Sequence, residues 1–540
     1  VDTTDFLRTV ERWAQWGLED AVSTVREVYE GGEGLARTRR EARDYCGPYF
    51  PVIARLTPTP TRGKPKRRMD SEVLDTAVKY NWSMSDFEGY DLAYGGLFPE
   101  NPWRSLAKYA VVRGNPDEEI QRLARRWVYE DERPFIGDKG VSTHEEALAA
   151  LDGRKSPGAP WNRLFKNTSE MITTMVDHME RVWDFTGLDD HYSYLWVNSE
   201  KEEMRSAEKL ADRKVRTFVA SSKEMVYMSR RLFGRGYEAW IDSHRQLNHG
   251  IGFNKFDGGW DTLARKMMRH PYSFGADVDG RDGSLSLDDI TFYSNLEWMY
   301  LPAEDQTPAN RRRFNTILKS RCFSFVVDPD GFVWYVPGGN KSGDPKTIEL
   351  NTWKTREEFY YAWIKLVGTD REEFRKHVDF DITGDDVWFS VSGKYVEKFN
   401  FTSVSEVIRI DFGVTWTTDC SFPRHAQYVP YLSNYSVVRA GVWVPMPVAN
   451  KTMNGWLKAT KVDSPAMSLV RSWAAYRELF WNEQWRHQIR LHIERLVKKY
   501  GLLLKDDPEW QLAMSCSTTE REVMHLWGVD RQVNGPIKSH

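Results

Sequence analysis

Only four of the 540 residues are cysteines, Cys46, Cys322, Cys420 and Cys516, and no two lie close enough in the chain for a zinc knuckle or a redox pair. This argues against a disulfide scaffold, and reduced, intracellular surroundings are the expectation. No apolar run approaches the ~20 residues of a membrane span, so a soluble protein without a transmembrane segment is expected. The opening Val1-Asp2-Thr3-Thr4-Asp5 has no basic stretch leading into an apolar one, so no secretory signal or transit peptide is visible. A leading valine in place of methionine suggests release from a larger polyprotein. Charge of one sign is also missing. The 75 Lys and Arg against 78 Asp and Glu leave a formal charge of -3, so any nucleic-acid binding must come from segregated charge. Internal repeats and long low-complexity tracts are absent, which argues against a solenoid.

What is abundant is aromatic: 23 Trp, 24 Tyr and 26 Phe, whose default place is a core. A chain this long has room for about three to five domains. Residues 322–327 and 332–336 are β-rich runs around the turn sequence Asp328-Pro329-Asp330-Gly331, which predicts a hairpin. Residues 380–383 and 387–391 flank Gly384-Asp385-Asp386, which predicts a second hairpin with acids at its tip. Near the C-terminus Ile489, Ile493, Leu496 and Tyr500 follow helical spacing, with Gly501 as a stop signal. Hairpins in the middle with helices around them indicate an α+β fold. Residues 57–68, with three prolines and five basic residues, read as an extended surface segment that is a solvated loop, an RNA-facing strap or a transport signal.

The chemistry gathers around acids. An apolar approach through Phe274-Gly275-Ala276 delivers Asp277 to the end of a predicted strand, and Asp282 follows after four intervening residues. Two strands side by side would bring Asp277 to Asp385. Carboxylates about 4 Å apart repel by ~4 kcal/mol at an effective dielectric of about 20, a cost that divalent cations reverse. Magnesium suits hard oxygen ligands, and a pair of such ions suits in-line phosphoryl chemistry. Between the two acidic sites lies Gly338-Gly339-Asn340-Lys341-Ser342-Gly343, entering an apparent helix on which Thr347 and Asn351 share a face. The Gly-Lys-Ser/Thr order of a Walker loop is absent, so a P-loop is excluded.

These patterns, in this order, resemble the RNA-dependent RNA polymerases of positive-strand RNA viruses, in the branch shared by picornaviruses, potyviruses and astroviruses. Asp277 and Asp282 look like motif A, residues 342–351 like the Ser-Gly-x3-Thr-x3-Asn of motif B, and Gly384-Asp385-Asp386 like motif C. Upstream, Lys201, Arg205, Lys209, Lys214 and Arg216 resemble the basic finger of motif F, and Ser156-Pro157-Gly158-Ala159-Pro160 is similar to motif G. Downstream, residues 412–417 look like the end of motif D, and residues 431–435 with 442–446 resemble motif E. The lysine often found after motif D is replaced by Asp419-Cys420-Ser421-Phe422-Pro423-Arg424-His425, and the general acid stays unassigned. The motifs cover residues 150–450.

The resemblance implies a right-hand polymerase of fingers, palm and thumb, with an antiparallel palm sheet flanked by helices. Its divisions would be fingers over 1–225, palm over 226–290, a fingers insertion over 291–335, palm again over 336–448 and a helical thumb over 449–540. It implies that Asp277, Asp385 and Asp386 are catalytic and hold two Mg2+ ions, for which Mn2+ can substitute. Asp282, Ser342 and Asn351 would read the ribose with Thr347 nearby, Arg216 with Lys201 and Lys209 behind it would contact the triphosphate, and Arg205 and Lys214 would complete the nucleotide-binding set. Ser156, Gly158, Pro160, Gly338, Gly339 and Gly343 would border the template. The expected partners are template RNA, nascent RNA, NTPs, a protein primer of the VPg kind and other viral replication proteins. The expected place is the host cytoplasm, at membrane-associated replication complexes reached through those partners. Two alternatives stay open, a reverse transcriptase and a catalytically inactive, polymerase-like RNA-binding protein.

Overall fold

Two sheets and one buried helix position everything that follows, and aromatic packing locks them together. The computed structural model describes residues 50–56, 66–98, 100–110, 114–460 and 464–529; most of the basic proline segment, 57–65, lies outside the described residues. A five-stranded sheet runs in the order Val52–Arg55, Phe332–Pro337, Phe323–Val327, Leu195–Glu200, Thr217–Ser221. Its Phe323–Val327 and Phe332–Pro337 strands are the first expected hairpin, antiparallel with Val327 opposite Val333. Buried Asp328 organises the turn: Oδ1 accepts from the backbone N–H groups of Asp330 and Phe332, both at 2.9 Å, and Oδ2 accepts from Trp334 Nε1 at 2.8 Å and Trp103 Nε1 at 3.0 Å. The basic stretch is an excursion between Leu195–Glu200 and Thr217–Ser221, which pair antiparallel, and it is closed at its base where Lys201 N donates to Arg216 O at 2.7 Å.

A four-stranded antiparallel sheet has the order Val378–Thr383, Asp386–Val391, Tyr272–Val278, Trp416–Thr417. The second expected hairpin is its first pair, turning through Gly384 and Asp385 alone, since Thr383 already pairs with Asp386. A two-residue hairpin loop needs positive φ where the chain reverses, and Gly384 supplies it at φ 66°. Asp386 therefore lies in the strand, not at the tip.

Helix Thr347–Leu366 packs against this sheet and is buried from Glu349 to Ile364. Phe359 on it meets the rings of Phe374, Phe380, Phe389 and Phe399 at 5.2–6.0 Å between centroids, mostly edge to face, the geometry that ring quadrupoles favour. A second core is built by the C-terminal helices Pro465–Glu478, Glu483–Tyr500 and Pro508–Ser515. Glu483–Tyr500 buries Ile489, Ile493 and Leu496 and ends at Gly501, as their spacing predicts. The same core takes in Val73 and Ala77 of helix Ser71–Lys79, which reaches it from the N-terminal part of the chain. Among the described residues, no helix is long and apolar enough to cross a membrane.

Candidate active site

The acids meet at the end of the four-stranded sheet. Asp386 lies opposite Asp277 in the antiparallel ladder, and Asp385 O accepts from Val278 N at 3.1 Å, so the turn carries Asp385 beside Asp277. On the other side of the strand, Thr417 Oγ1 donates to Asp277 O at 3.2 Å. Asp277 and Asp385 keep an outer face open to solvent while their flanks lose water to the surrounding protein, and Asp386 is half-buried. Desolvation, then repulsion from Asp385, pushes Asp277 up to about 6. Desolvation followed by repulsion from Asp385 and Asp277 pushes Asp386 up to about 7, and desolvation also raises Asp385. No ion pair to a described residue relieves any of the three; their mutual repulsion and all-oxygen chemistry fit hard divalent cations. Their oxygens do not close into a compact cage, since the single set of three or more ligand atoms within 4.8 Å among the described residues is Asp189, Asp190 and His191 at the surface. His191 already pairs with Asp189 there, and Asp190 lies 3.0 Å from Lys319 Nζ.

After the central strand, Gly280 at φ 61° turns the chain into the short helix Arg281–Ser284 and presents Asp282. Gly283 permits this, because a Cβ there would come within 2.0 Å of Lys108 O. Asp282 Oδ1 accepts from Asn351 Nδ2 at 2.9 Å, so motifs separated in the chain close into one pair. Ser342 Oγ accepts from Val219 N at 3.1 Å, which ties it to the strand Thr217–Ser221. Thr347 is turned inward: its hydroxyl is engaged with the backbone O of Lys341 and of Asp344, at 2.7 and 2.9 Å, and holds the glycine-rich loop.

The five basic residues separate into two groups. Lys209 and Arg216 face Asp277 closely enough to offset its rise, and Arg216 does the same at Asp385. Lys201 is lowered by burial and by Arg216, against the pull of Glu203, Asp282 and Asp385. Arg205 and Arg216 share Glu203, at 3.6 and 3.5 Å, but only Arg216 also acts on Asp277 and Asp385, and Lys214 lies 3.4 Å from Asp212.

The chain that builds this site is similar to known proteins. The profile for viral RNA-dependent RNA polymerase matches residues 121–454. The chain belongs to the viral RNA-dependent RNA polymerases. It is 27% identical over 338 residues to genome polyprotein 1 of barley mild mosaic virus, covering 61% of this chain and 14% of that polyprotein. With the genome polyprotein of turnip mosaic virus it shares 24% identity over 414 residues, 76% of this chain and 13% of that one. The chain therefore spans a small part of these relatives. Its fold matches the Sicinivirus 3Dpol RNA dependent RNA polymerase with a TM-score of 0.67 at 14% identity, over 82% of this chain and 93% of that one.

In this polymerase the residues predicted to border the template fall into loops, of which the 156–160 loop and Gly343 share a support. Gly158 packs on Ser221 and Ser222, its carbonyl accepts from Asn162 N at 2.8 Å, and its N–H donates to Ser156 Oγ at 3.2 Å. Pro160 opens the next turn, its O accepting from Arg163 N at 3.3 Å. Gly343 N donates to Val219 O at 2.8 Å, and Gly343 O accepts from Ser221 Oγ at 3.1 Å, so both loops hang on one strand. Gly338 N bonds Cys322 O at 2.8 Å, and Gly339 presses on the ring of Tyr109. After motif D, Arg424 pairs with Asp419 at 2.5 Å and His425 Nδ1 caps its own turn, accepting from Gln427 N at 3.4 Å; neither is directed at the acids.

Several residues of the polymerase site escape sequence reasoning. Lys108 Nζ lies 3.9 Å from Asp282 Oδ2, within the fields of Lys201 and Arg216, and no motif marks it. Thr352 Oγ1 accepts from Gly384 N at 2.9 Å and Thr355 Oγ1 donates to Gly384 O at 2.6 Å, so the buried helix clamps the acidic turn from both sides. Thr355 stands four residues after Asn351, a helical spacing that could have found it, whereas nothing in the spacing marks Thr352. Lys451, on helix Ala449–Leu457, partly offsets the rise of Asp386.

Proposed function

We propose that this polymerase extends RNA on an RNA template from NTPs by two-metal nucleotidyl transfer, with Asp277, Asp385 and Asp386 as the metal-holding acids. The observation that carries the reading is the register that sets Asp386 opposite Asp277 with Asp385 on the adjoining turn, three acids with no ion pair among the described residues, Lys209 and Arg216 acting on Asp277, Arg216 on Asp385 and Lys451 on Asp386. Two divalent cations, with Mg2+ the natural occupant of an all-oxygen set, would supply activation of the RNA 3′-hydroxyl and neutralise the triphosphate. The chain's own residues do the rest. Arg216, Lys201 and Lys209 hold the triphosphate and balance charge on the departing pyrophosphate, fixed in place before the transfer. Asp282, Asn351 and Ser342 read the ribose 2′-hydroxyl, which is both donor and acceptor. Thr352 and Thr355 keep the Gly384-Asp385 turn in place while the α-phosphate is attacked.

Fingers, palm and thumb would follow the divisions 1–225 with 291–335, 226–290 with 336–448, and 449–540, of which 1–49 and 530–540 lie outside the described residues, and helix Ser71–Lys79 is an N-terminal piece that supports the thumb. Replication complexes at membranes in the host cytoplasm, reached through partner proteins, and a VPg-like protein primer complete the proposal. Extension of a primed RNA template with Mg2+ tests the core of it. The wild-type chain should extend with NTPs, and Asp385→Asn should lose about a thousandfold or more. Absence of extension under Mg2+ and Mn2+ would favour an inactive RNA-binding protein, and preference for dNTPs a reverse transcriptase.

A further inference from the structure

The ribose-reading pair is held by a third side chain. Asn340 lies in the glycine-rich loop and is 3% exposed. Its backbone N donates to Asp282 O at 2.7 Å, and its Nδ2 donates to Thr347 O at 3.0 Å and to Asn351 Oδ1 at 2.9 Å. Asn351 in turn donates from Nδ2 to Asp282 Oδ1 at 2.9 Å. An asparagine carboxamide is nearly symmetric in shape, so which end faces which neighbour is decided by the hydrogen-bond network around it. Both ends of this network are unambiguous. A backbone carbonyl, Thr347 O, accepts only, so Asn340 must turn its NH2 toward that side. Asn351 then has to meet it with Oδ1. At the far end the Asp282 carboxylate accepts, and Asn351 must offer Nδ2.

We propose that Asn340 is a positioning residue that fixes the orientation of the Asn351 carboxamide and thereby sets selection of ribose over deoxyribose. The proposal rests on the reading of Asp282 and Asn351 as the ribose readers. Asp282 has a side chain 25% exposed and Oδ2 3.9 Å from Lys108 Nζ, so it retains an open face toward a ligand while Asn351 stays buried. A 2′-hydroxyl there donates to Asp282 and accepts the second N–H of Asn351 Nδ2. Reversing the carboxamide puts Oδ1 against an Asp282 oxygen, two acceptors with no hydrogen between them, and removes the donor the hydroxyl needs. Sites that hydrogen-bond a substrate hydroxyl reject the analogue lacking it because their own polar groups are then left unpaired, and that rejection depends on the donor facing the right way.

Single-nucleotide incorporation on a primed RNA template, with matched NTP and dNTP, tests this in Asn340→Asp, Asn340→Ala and Asn351→Ala. Asn340→Asp replaces the donor by an acceptor and favours the reversed carboxamide; Asn340→Ala frees it without adding charge. The ratio of kcat/KM for NTP over dNTP should fall about tenfold or more in Asn340→Asp and less in Asn340→Ala. Thermal unfolding of each variant establishes that it is folded, and Asn340→Ala decides the matter if Asn340→Asp is not. A merely structural role would lower NTP and dNTP use in parallel, and a ratio within about twofold of wild type would overturn the proposal. If Asn351→Ala lowers the ratio while the Asn340 variants do not, the ribose reading stands and the role of Asn340 fails. If Asn351→Ala leaves the ratio unchanged, the ribose reading itself fails and takes the proposal with it.

Discussion

Helix Thr347–Leu366 and the acidic hairpin it clamps treat charge in opposite ways. Inside the helix, Lys354 is 2.9 Å from Asp289 and 2.8 Å from Glu357, Arg356 pairs with Glu132, and Glu358 accepts from Arg281 NH1 at 2.8 Å. Each of those charges is sealed from water with a partner of opposite sign, and even so burial pushes Glu132 up to about 8 against the pull of Arg356. A few residues away Asp277, Asp385 and Asp386 are set together with no such partner among the described residues, and two of them are raised to about 6 and about 7. Matched buried charge gives a frame that cannot shift without breaking a pair. Unmatched charge at its edge stores an electrostatic demand that a cation satisfies. The frame holds the acids where they would not stay by themselves.

The strongest way to break this contrast is inside the frame. Glu358→Gln leaves Arg281 buried and uncompensated, and should cost about 3–5 kcal/mol in denaturant unfolding. A cost under about 1 kcal/mol would show that the helix does not depend on its pairing. Next comes the basic loop, where Arg216 and Lys214 are equally exposed, at 55% and 54%, but face different acids. Arg216→Ala should lower kcat/KM for NTP by about a hundredfold, while Lys214→Ala stays within about twofold. Equal effects would dissolve the division of that loop into two groups.

The clamp between the two regions comes third. Thr355→Val keeps shape but removes the bond to Gly384 O, and should lower kcat by about tenfold with little change in KM. A change in KM alone would place its effect on substrate binding instead of on the turn. The smallest effect is the electrostatic demand itself. Asp277 and Asp386 ionise above the ordinary 3.8, so the native state binds more protons than the unfolded one between that value and about 6 to 7. Stability of the metal-free protein should therefore decline as pH rises through this window. Mg2+ should restore about 2 °C of melting temperature at pH 8, and less at pH 5.5 where protons compete. The shift should shrink in Asp277→Asn; an equal Mg2+ response in that variant would mean the ion binds elsewhere.

How much could be read beforehand depended on how local the cause was. Both hairpins were legible because Asp328-Pro329-Asp330-Gly331 and Gly384-Asp385 carry their turns within a few residues, and β-branched and aromatic runs flank them. The C-terminal helix was legible because Ile489, Ile493 and Leu496 repeat at its own period. The acids were legible through the order of three motifs. Illegible were Lys108 and the threonine clamp, whose partners Asp282 and Gly384 lie in other elements. The same holds for helix Ser71–Lys79, which packs with helices near the opposite end of the chain. Asn340 stood in plain view within the glycine-rich loop, yet its bond to Asn351 needs the loop to fold back on the helix that follows it.

Residue order by itself determined two hairpins, the C-terminal helix, the polymerase family and which acids to propose for the chemistry, because turn residues, side-chain period and motif spacing act over short stretches of chain. Only the tertiary structure decided which cations face the acids, which threonines brace their turn and which way Asn351 points. Those depend on atoms a few ångströms apart in space but far apart along the backbone, where hydrogen bonds and charge pairs form only after the sheets and the buried helix have packed.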